Sequence, residues 1–442
     1  MKIYFSTLMV LLIISMTGCE SNNSNEENPQ NLPIEIIGIS PESAPANSLV
    51  TINGTNFNPD ISNQITVGGT TVDIVSITPN QIVFRVPIAL SSGIVVLNVN
   101  GTEYSGPQFT YQQSWQVSTF AGTNISGFAD GLLNDARFSS PNKMTIDSND
   151  NIYVIDGNRI RKITPDGIVT TVAGNGNSGT MDGPALDVPL TLYGITVNEN
   201  DEVIFSDQNC LKKLSGGFVT TIAGNPNETG LTDGMGLSAR LAPTSLTHDP
   251  TGNIYFIQFY VAFGDHPRCV RKLAPNGYVS TITTSTLIAS LPRGITYAPD
   301  GFLYMTNEWS FTILKINPQS GSTTIFAGQT DVSSCNDGQG TSATFGYPYG
   351  IAANAQNELF FINNGCTSID KISSTGYVSA FANAFIPGAT SNPNYHTGVN
   401  GYADGLAWTA QFYQPTYLDV ASNGDIFISD TGNHCIRRIR FE

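Results

Sequence analysis

The feature that most restricts this chain is a stretch it repeats. The last copy reads GYADGLAWTAQF (residues 401–412), QPTYLDVASNGDIFISD (414–430) and TGNHCIRRIRF (431–441). The first reads GFADGLLNDARF (127–138), SPNKMTIDSNDNIYVID (140–156), GNRIRKI (157–163) and VTTVAG (169–174). Each copy opens on Asp-Gly and places a large apolar residue eight positions after the Asp. The pairs are Asp130/Phe138, Asp182/Leu190, Asp233/Leu241, Asp337/Phe345 and Asp404/Phe412. Five pairs at one offset exceed chance. Repeats of such length are units that bury their apolar faces only against neighbouring units.

A second marker counts the units. It is a Val-Thr-Thr-x-Ala-Gly run, with copies starting at Val117, Val169, Val219, Val279, Thr323 and Val378. These six copies lie roughly 44 to 60 residues apart. The fourth unit has lost both the Ala-Gly and the Asp-Gly loop. Each unit holds four short strand signals separated by Asn-Asp-Asn, Pro-Asp-Gly or Ser-Asn-Gly turns. No helical period of useful length appears between Trp115 and Glu442. Six units of four antiparallel strands predict an all-β, six-bladed β-propeller over residues 115–442. The last unit stops after its third strand, and one spare marker strand precedes the first unit. Residues 117–122 are therefore expected to pair with residues 436–441 and close the ring, because an open ring leaves two unpaired edges.

The Asp-Gly, Ala-Arg-Phe, Asn-Ile-Tyr-Val-x-Asp and Asn-Arg-Ile-Arg-Lys-Ile elements resemble the NHL repeat family. The resemblance covers residues 115–442 and is strongest in the first and last units. It implies a propeller that binds partners through its loops. Enzymes built on similar propellers gather histidines or carboxylates around the axis to hold a metal. Here His248, His266, His396 and His434 share no motif position.

The chain begins MKIYFSTLMVLLIISMTGC. Lys2 is followed by an apolar run, residues 3–16, too short to span a membrane as a mature helix. Met16-Thr17-Gly18-Cys19 resembles a bacterial lipobox. Residues 1–18 are read as a lipoprotein signal peptide and Cys19 as the lipidated residue, giving membrane attachment by a lipid anchor only. Residues 19–32, with ESNNSNEENPQNL after the Cys, read as a flexible linker. Its acidic residues resemble the surface-export signals of Bacteroidetes lipoproteins. The expected location is the cell envelope, as an outer-membrane lipoprotein exposed at the surface.

Residues 33–111 form a separate unit. Alternating β-branched runs such as LVTINGTNF (49–57), QIVFRVP (81–87) and GIVVLNVNG (93–101) argue for a small β-sandwich. The Ile36-x-x-Ile39-x-Pro41 and Val50-Thr-Ile-x-Gly54-x-Asn56-Phe57 patterns resemble the IPT/TIG immunoglobulin-like family. Such domains serve as spacers or interaction modules.

Charge narrows the partners. The 442 residues carry a net charge of −16, which argues against nucleic acid or anionic lipid surfaces. Five cysteines follow Cys19. Cys210, Cys269 and Cys435 occupy equivalent places on different blades, too far apart to bond. Cys335 and Cys366 fall in two loops of one blade on one face, where a disulfide can form. No Cys or His spacing matches a metal site, and no cofactor is expected.

Loops from an outer strand to the next inner strand share a face with the loops between second and third strands. Aromatic residues concentrate there. The residues preceding the inner strands, Asn142, Tyr193, Thr244, Arg293, Tyr349 and Thr416, should ring the channel mouth. They do not repeat, so blade packing does not demand them. Candidate ligand contacts are Tyr193, Phe259, Tyr260, Arg293, Trp309, Tyr349, Tyr402 and Trp408, with a groove running outward over the low rim of the fourth blade. Aromatic faces stack on sugar rings, and the expected partner is a glycan or small extracellular ligand. No catalytic residue stands out. Two alternatives stay open: a scaffold that binds an outer-membrane protein, and a metal-dependent lyase or lactonase.

Overall fold

The structure is a computed structural model that describes residues 33–87, 90–259, 268–288, 291–383 and 397–442. The expected signal peptide, Cys19 and the whole of the expected linker, residues 1–32, lie outside the described residues.

The N-terminal unit is a β-sandwich. One sheet orders Glu35–Ser40, Leu49–Thr55, Gln81–Arg85 and Thr70–Thr78; Asn63–Val67, Gly93–Val99 and Thr102–Tyr111 form the other. The long strand Thr70–Thr78 shifts register near Ile74 and also pairs with Asn63–Val67, so it joins the two sheets. Alternate residues point inward, as the strand period requires: Val50, Ile52, Ile82, Phe84, Val95 and Leu97 are fully buried.

Residues 115–442 form six sheets around one axis. The inner strands are Pro141–Ile146, Leu192–Val197, Pro243–His248, Pro292–Tyr297, Pro348–Ala353 and Tyr417–Val420, and each touches the next around a closed ring. Blade 1 continues outward through Ile152–Asp156, Arg159–Ile163 and Ile168–Ala173. The other blades repeat that order. Blade 6 takes its outermost long strand from the N-terminal side: Trp115–Gly122 pairs with Cys435–Phe441 from Trp115↔Phe441 to Gly122↔Cys435. Ends far apart in sequence thus close the ring, and neither edge is left open.

The Asp-Gly repeat has a specific packing cause. In blade 1, Asp130 accepts a hydrogen bond from the backbone N–H of Thr171 on the outer strand (2.9 Å). It also pairs with the buried guanidinium of Arg161 on the third strand (2.8 Å). Asp156 at the end of the second strand pairs with the other side of Arg161 (3.0 Å). The Phe138 ring lies 5.0 Å from that guanidinium. The fixed offset of eight therefore sets a carboxylate and an aromatic face on one cation. Blades 2 and 6 repeat the two-carboxylate clamp on Lys212 and Arg437, and in blade 3 Arg271 pairs with Asp233 and donates to the Gln258 amide oxygen; blade 6 keeps the aromatic face in Phe412, whereas blades 2 and 3 place Leu190 and Leu241 there. The repeated Asp is structural, though it bonds the outer strand of its blade rather than its own loop. Its Gly begins a two-residue fifth strand on the blade edge, as in Gly131–Leu132.

Blade 4 lacks all of this together. It has four strands, no Asp-Gly, and Leu314 where blades 1, 2, 3 and 6 place the cation, whereas blade 5 keeps Asp337-Gly338 but places Asp370 there; Leu314 is fully buried among apolar neighbours. The Ala-Gly marker also has its reason. Gly174 sits at φ +89°, and a Cβ there would lie 2.3 Å from the Asn158 carbonyl oxygen.

Cys335 and Cys366 are joined in a disulfide, with Cα atoms 5.8 Å apart. Cys210, Cys269 and Cys435 are free and buried at matching positions.

Candidate functional site

Near the start of each inner strand, second in five of them and just before the sixth, stands a residue that lines the axial channel. Asn142, Tyr193, Thr244, Arg293, Tyr349 and Thr416 all line one funnel of about 630 Å³ at the channel mouth. Their order around the six-fold ring makes a pattern. Tyr193 on blade 2 stands opposite Tyr349 on blade 5. Thr244 on blade 3 stands opposite Thr416 on blade 6. Asn142 on blade 1 stands opposite Arg293 on blade 4. Phe259 adds an apolar wall from the loop after the second strand of blade 3.

One position further along each inner strand is a column of small residues with two exceptions. The column reads Lys143, Gly194, Ser245, Gly294, Gly350 and Tyr417. The glycines are required by close approach: a Cβ on Gly194 would meet the Thr244 carbonyl oxygen at 2.3 Å. With four small members, neighbouring inner strands pack tightly and leave axial room that Lys143 and Tyr417 fill.

Lys143 reaches from blade 1 across the channel. Its ammonium donates to the carbonyl oxygens of Thr244 (3.0 Å) and Arg293 (3.3 Å), and it lies 5.9 Å from the centre of the Tyr417 ring. Burial, and secondly the nearby Arg293 guanidinium, push its pKa down to about 7. Arg293 is half-exposed, its Nε donates to the buried Glu308 carboxylate, and its guanidinium lies 5.0 Å from the centre of the Tyr349 ring. The Tyr417 hydroxyl sits 3.4 Å from Ser245 Oγ across the axis, and burial raises its pKa to about 12, so it stays protonated.

Tyr417 separates this funnel from a second one of about 570 Å³ at the other end of the channel. That end is lined by Thr196, Thr247, Thr296, His248 and Asp419. The carboxylate of Asp419 accepts a hydrogen bond from the Ile146 N–H on the neighbouring inner strand (3.1 Å). Burial lifts its pKa to about 7. His248 lies at this far end, as the last residue of its inner strand Pro243–His248.

Four of the eight residues read from sequence as ligand contacts come together: Tyr193, Phe259, Arg293 and Tyr349 line the upper funnel. Tyr260 lies outside the described residues. Trp309, Tyr402 and Trp408 are not among the funnel's walls. Trp309 stands 62% exposed on the loop after the second strand of blade 4. Tyr402 hydrogen-bonds Thr119 Oγ1 (3.0 Å) and covers the Arg437 guanidinium at 5.3 Å. It occupies the repeat position of Phe128, which covers Arg161 at 4.7 Å, so its job is blade packing. Lys143 and Tyr417 were missed. The signal was present, since they are the two bulky members of an otherwise small-residue column.

The site can hold a polar ligand with flat faces. Opposed tyrosines offer stacking surfaces, threonines and Asn142 offer hydrogen bonds, and two cations supply charge. Lys143 and Arg293 would repel a divalent metal at the mouth.

Comparison with known proteins agrees on the architecture. Residues 33–111 match the IPT/TIG domain family, and residues 412–439 match the NHL repeat family. The chain is 24% identical over 356 residues to Protein SUPPRESSOR OF QUENCHING 1, chloroplastic, of Arabidopsis thaliana; the match takes 73% of this chain and spans only 32% of that relative. Three solved structures share the fold across both domains. A protein described as an auxiliary nutrient binding protein from Bacteroides thetaiotaomicron VPI-5482 has a TM-score of 0.69 at 19% identity, covering 93% of this chain and 99% of that one. A protein of the same description from Bacteroides ovatus ATCC 8483 scores 0.62 at 18% identity, covering 94% and 99%. A protein described as a putative phosphatase from Bacteroides thetaiotaomicron VPI-5482 scores 0.63 at 16% identity, covering 93% and 98%.

Proposed function

We propose that this protein is a lipid-anchored, surface-exposed binding protein that captures a glycan or other extracellular nutrient in the propeller funnel. The observation that carries the reading is the ring itself. Six equivalent positions, which packing leaves free to vary, bear non-repeating polar and aromatic side chains that converge on one open cavity. Two proteins of like fold are described as auxiliary nutrient binding proteins, which supports the same reading. The IPT/TIG domain then acts as the spacer between anchor and binding face.

The test uses purified full-length protein on a glycan array, followed by titration calorimetry of the best hit. Tyr193→Ala and Tyr349→Ala should each weaken binding by about tenfold to a hundredfold. Base stacking on an aromatic contributes ~1–3 kcal/mol, and ring stacking on tyrosine is taken as comparable. Wild-type affinity in both folded variants would move the protein-scaffold reading to first place. Anchoring is tested separately. Cys19→Ala should shift the protein from the membrane to the soluble fraction or leave it unprocessed; unchanged fractionation and mass would refute lipidation.

A further inference from the structure

We propose that the ligand of the upper funnel is anionic, an oligosaccharide bearing a carboxylate such as a uronic acid, and that Lys143 and Arg293 seat the carboxylate. This deepens the binding reading above and rests on it. The chain as a whole carries a charge of −16, yet among the described residues the charged side chains lining this funnel are Lys143 and Arg293, both cations. The opposite funnel carries Asp419 instead. The channel is thus polarised along its axis, positive at the mouth where the aromatic and polar ring stands.

The two cations have different roles. Arg293 is held in place by the buried Glu308 and by the Tyr349 ring, so part of its charge is answered by protein. Lys143 has no carboxylate partner among the described residues. Two of its three N–H groups point at the backbone carbonyls of Thr244 and Arg293, which leaves one donor for a ligand. A neutral sugar could use that donor, but only an anion answers a charge that is otherwise uncompensated. Lys143 and Arg293 come from opposite blades, so a ring lying between Tyr193 and Tyr349 can direct a carboxylate between them. Besides the Arg293 guanidinium, the group facing Lys143 is the Tyr417 ring, whose hydroxyl burial keeps protonated through the neutral range.

Because Lys143 titrates near neutrality, affinity for an acidic ligand should fall as pH rises through about 7. Binding of an anion raises that pKa, so the drop begins near the free-protein value and continues up to the raised value of the complex. The experiment is calorimetry of full-length protein with an oligogalacturonide and with the uncharged galacto-oligosaccharide of equal length, from pH 6 to 8.5. Free galacturonate and acetate are run beside them to separate ring from carboxylate recognition. Wild type should prefer the oligogalacturonide by about tenfold or more at pH 6 and lose most of that preference by pH 8.5. Lys143→Gln should lose preference and pH dependence together. Lys143→Arg should keep the preference with a flat profile, a rescue that a merely structural role would not give. Thermal melts confirm that each variant folds. Equal affinity for acidic and neutral chains, or a flat wild-type profile, overturns the anionic ligand while leaving glycan binding intact. Binding of neither class in the funnel overturns both readings.

Discussion

Replacement of Arg437 by Leu tests how the blades are held together. The Arg437 side chain is fully buried and makes four charge-assisted or carbonyl bonds: to Asp404 (2.7 Å), Asp430 (2.8 Å), Ala403 O (2.8 Å) and Gln411 O (2.8 Å). Asp404 is half-exposed and can be resolvated. Asp430 is fully buried, and burial already lifts its pKa against the pull of Arg437. Leucine therefore leaves a carboxylate in an apolar blade with no cation. Breaking a buried pair in this way costs about 3–5 kcal/mol. For a propeller of roughly 330 residues that is a drop of about 4–7 °C in Tm. Blade 4 shows the other solution, with Leu314 at the cation position, Asn307 at the Asp430 position and no Asp-Gly loop. Arg437→Leu combined with Asp430→Asn should therefore recover most of the loss. The neutral amide can still accept the Tyr413 N–H, as Asn363 accepts from Gly346 in blade 5. Urea denaturation of the two singles and the double gives the coupling. A single-variant cost below about 1 kcal/mol, or a double less stable than Arg437→Leu alone, would refute the reasoning.

Three further outcomes follow. Deleting residues 115–122 removes the strand that pairs with Cys435–Phe441; the melting temperature should drop sharply, and an unchanged melt would contradict closure by that strand. Reducing the Cys335–Cys366 bond, which closes a span of 31 residues, should destabilise the protein by ~3 kcal/mol; identical denaturation curves with and without reductant would contradict this. Asp419 ionises at about 7 in the fold against 3.8 ordinarily, so its contribution to stability is fully present below the lower value and lost as pH rises through 7. Asp419→Asn should then stabilise at pH 8, by no more than about 4 kcal/mol and less where channel water screens the charge, with little effect at pH 4; equal gains at both pH values would refute it.

The propeller was legible because its packing unit is written in sequence. Asp130, Phe138 and Arg161 act on one another, so their spacing recurs with the clamp, and Asp-Gly and the cation vanish together in blade 4; blade 5 keeps Asp337 and Phe345 with Asp370 at the cation position, where Asp337 still accepts the Ala380 N–H of the outer strand. The channel ring was legible for the converse reason, since residues that vary at a repeated position are not serving the repeat. Lys143 was not seen because one copy of a strand reads as a pleated run, and only the six aligned inner strands reveal a lysine among glycines. That Trp309 and Trp408 stand away from the funnel was not legible, because a loop residue's direction depends on the third dimension. Tyr402 shares its repeat position with Phe128, and both rings cover the buried cation of their blade, which is a packing signal in the repeat.

On the reading proposed above, the ligand sits in the axial funnel rather than on the outer loops. A crystal structure of the full-length protein with its best array hit tests this most directly. Ligand density is expected between Tyr193 and Tyr349, with a ligand oxygen within hydrogen-bond reach of Lys143 Nζ. Density stacked instead on Trp309 or Trp408, with the funnel filled by water alone, would contradict it.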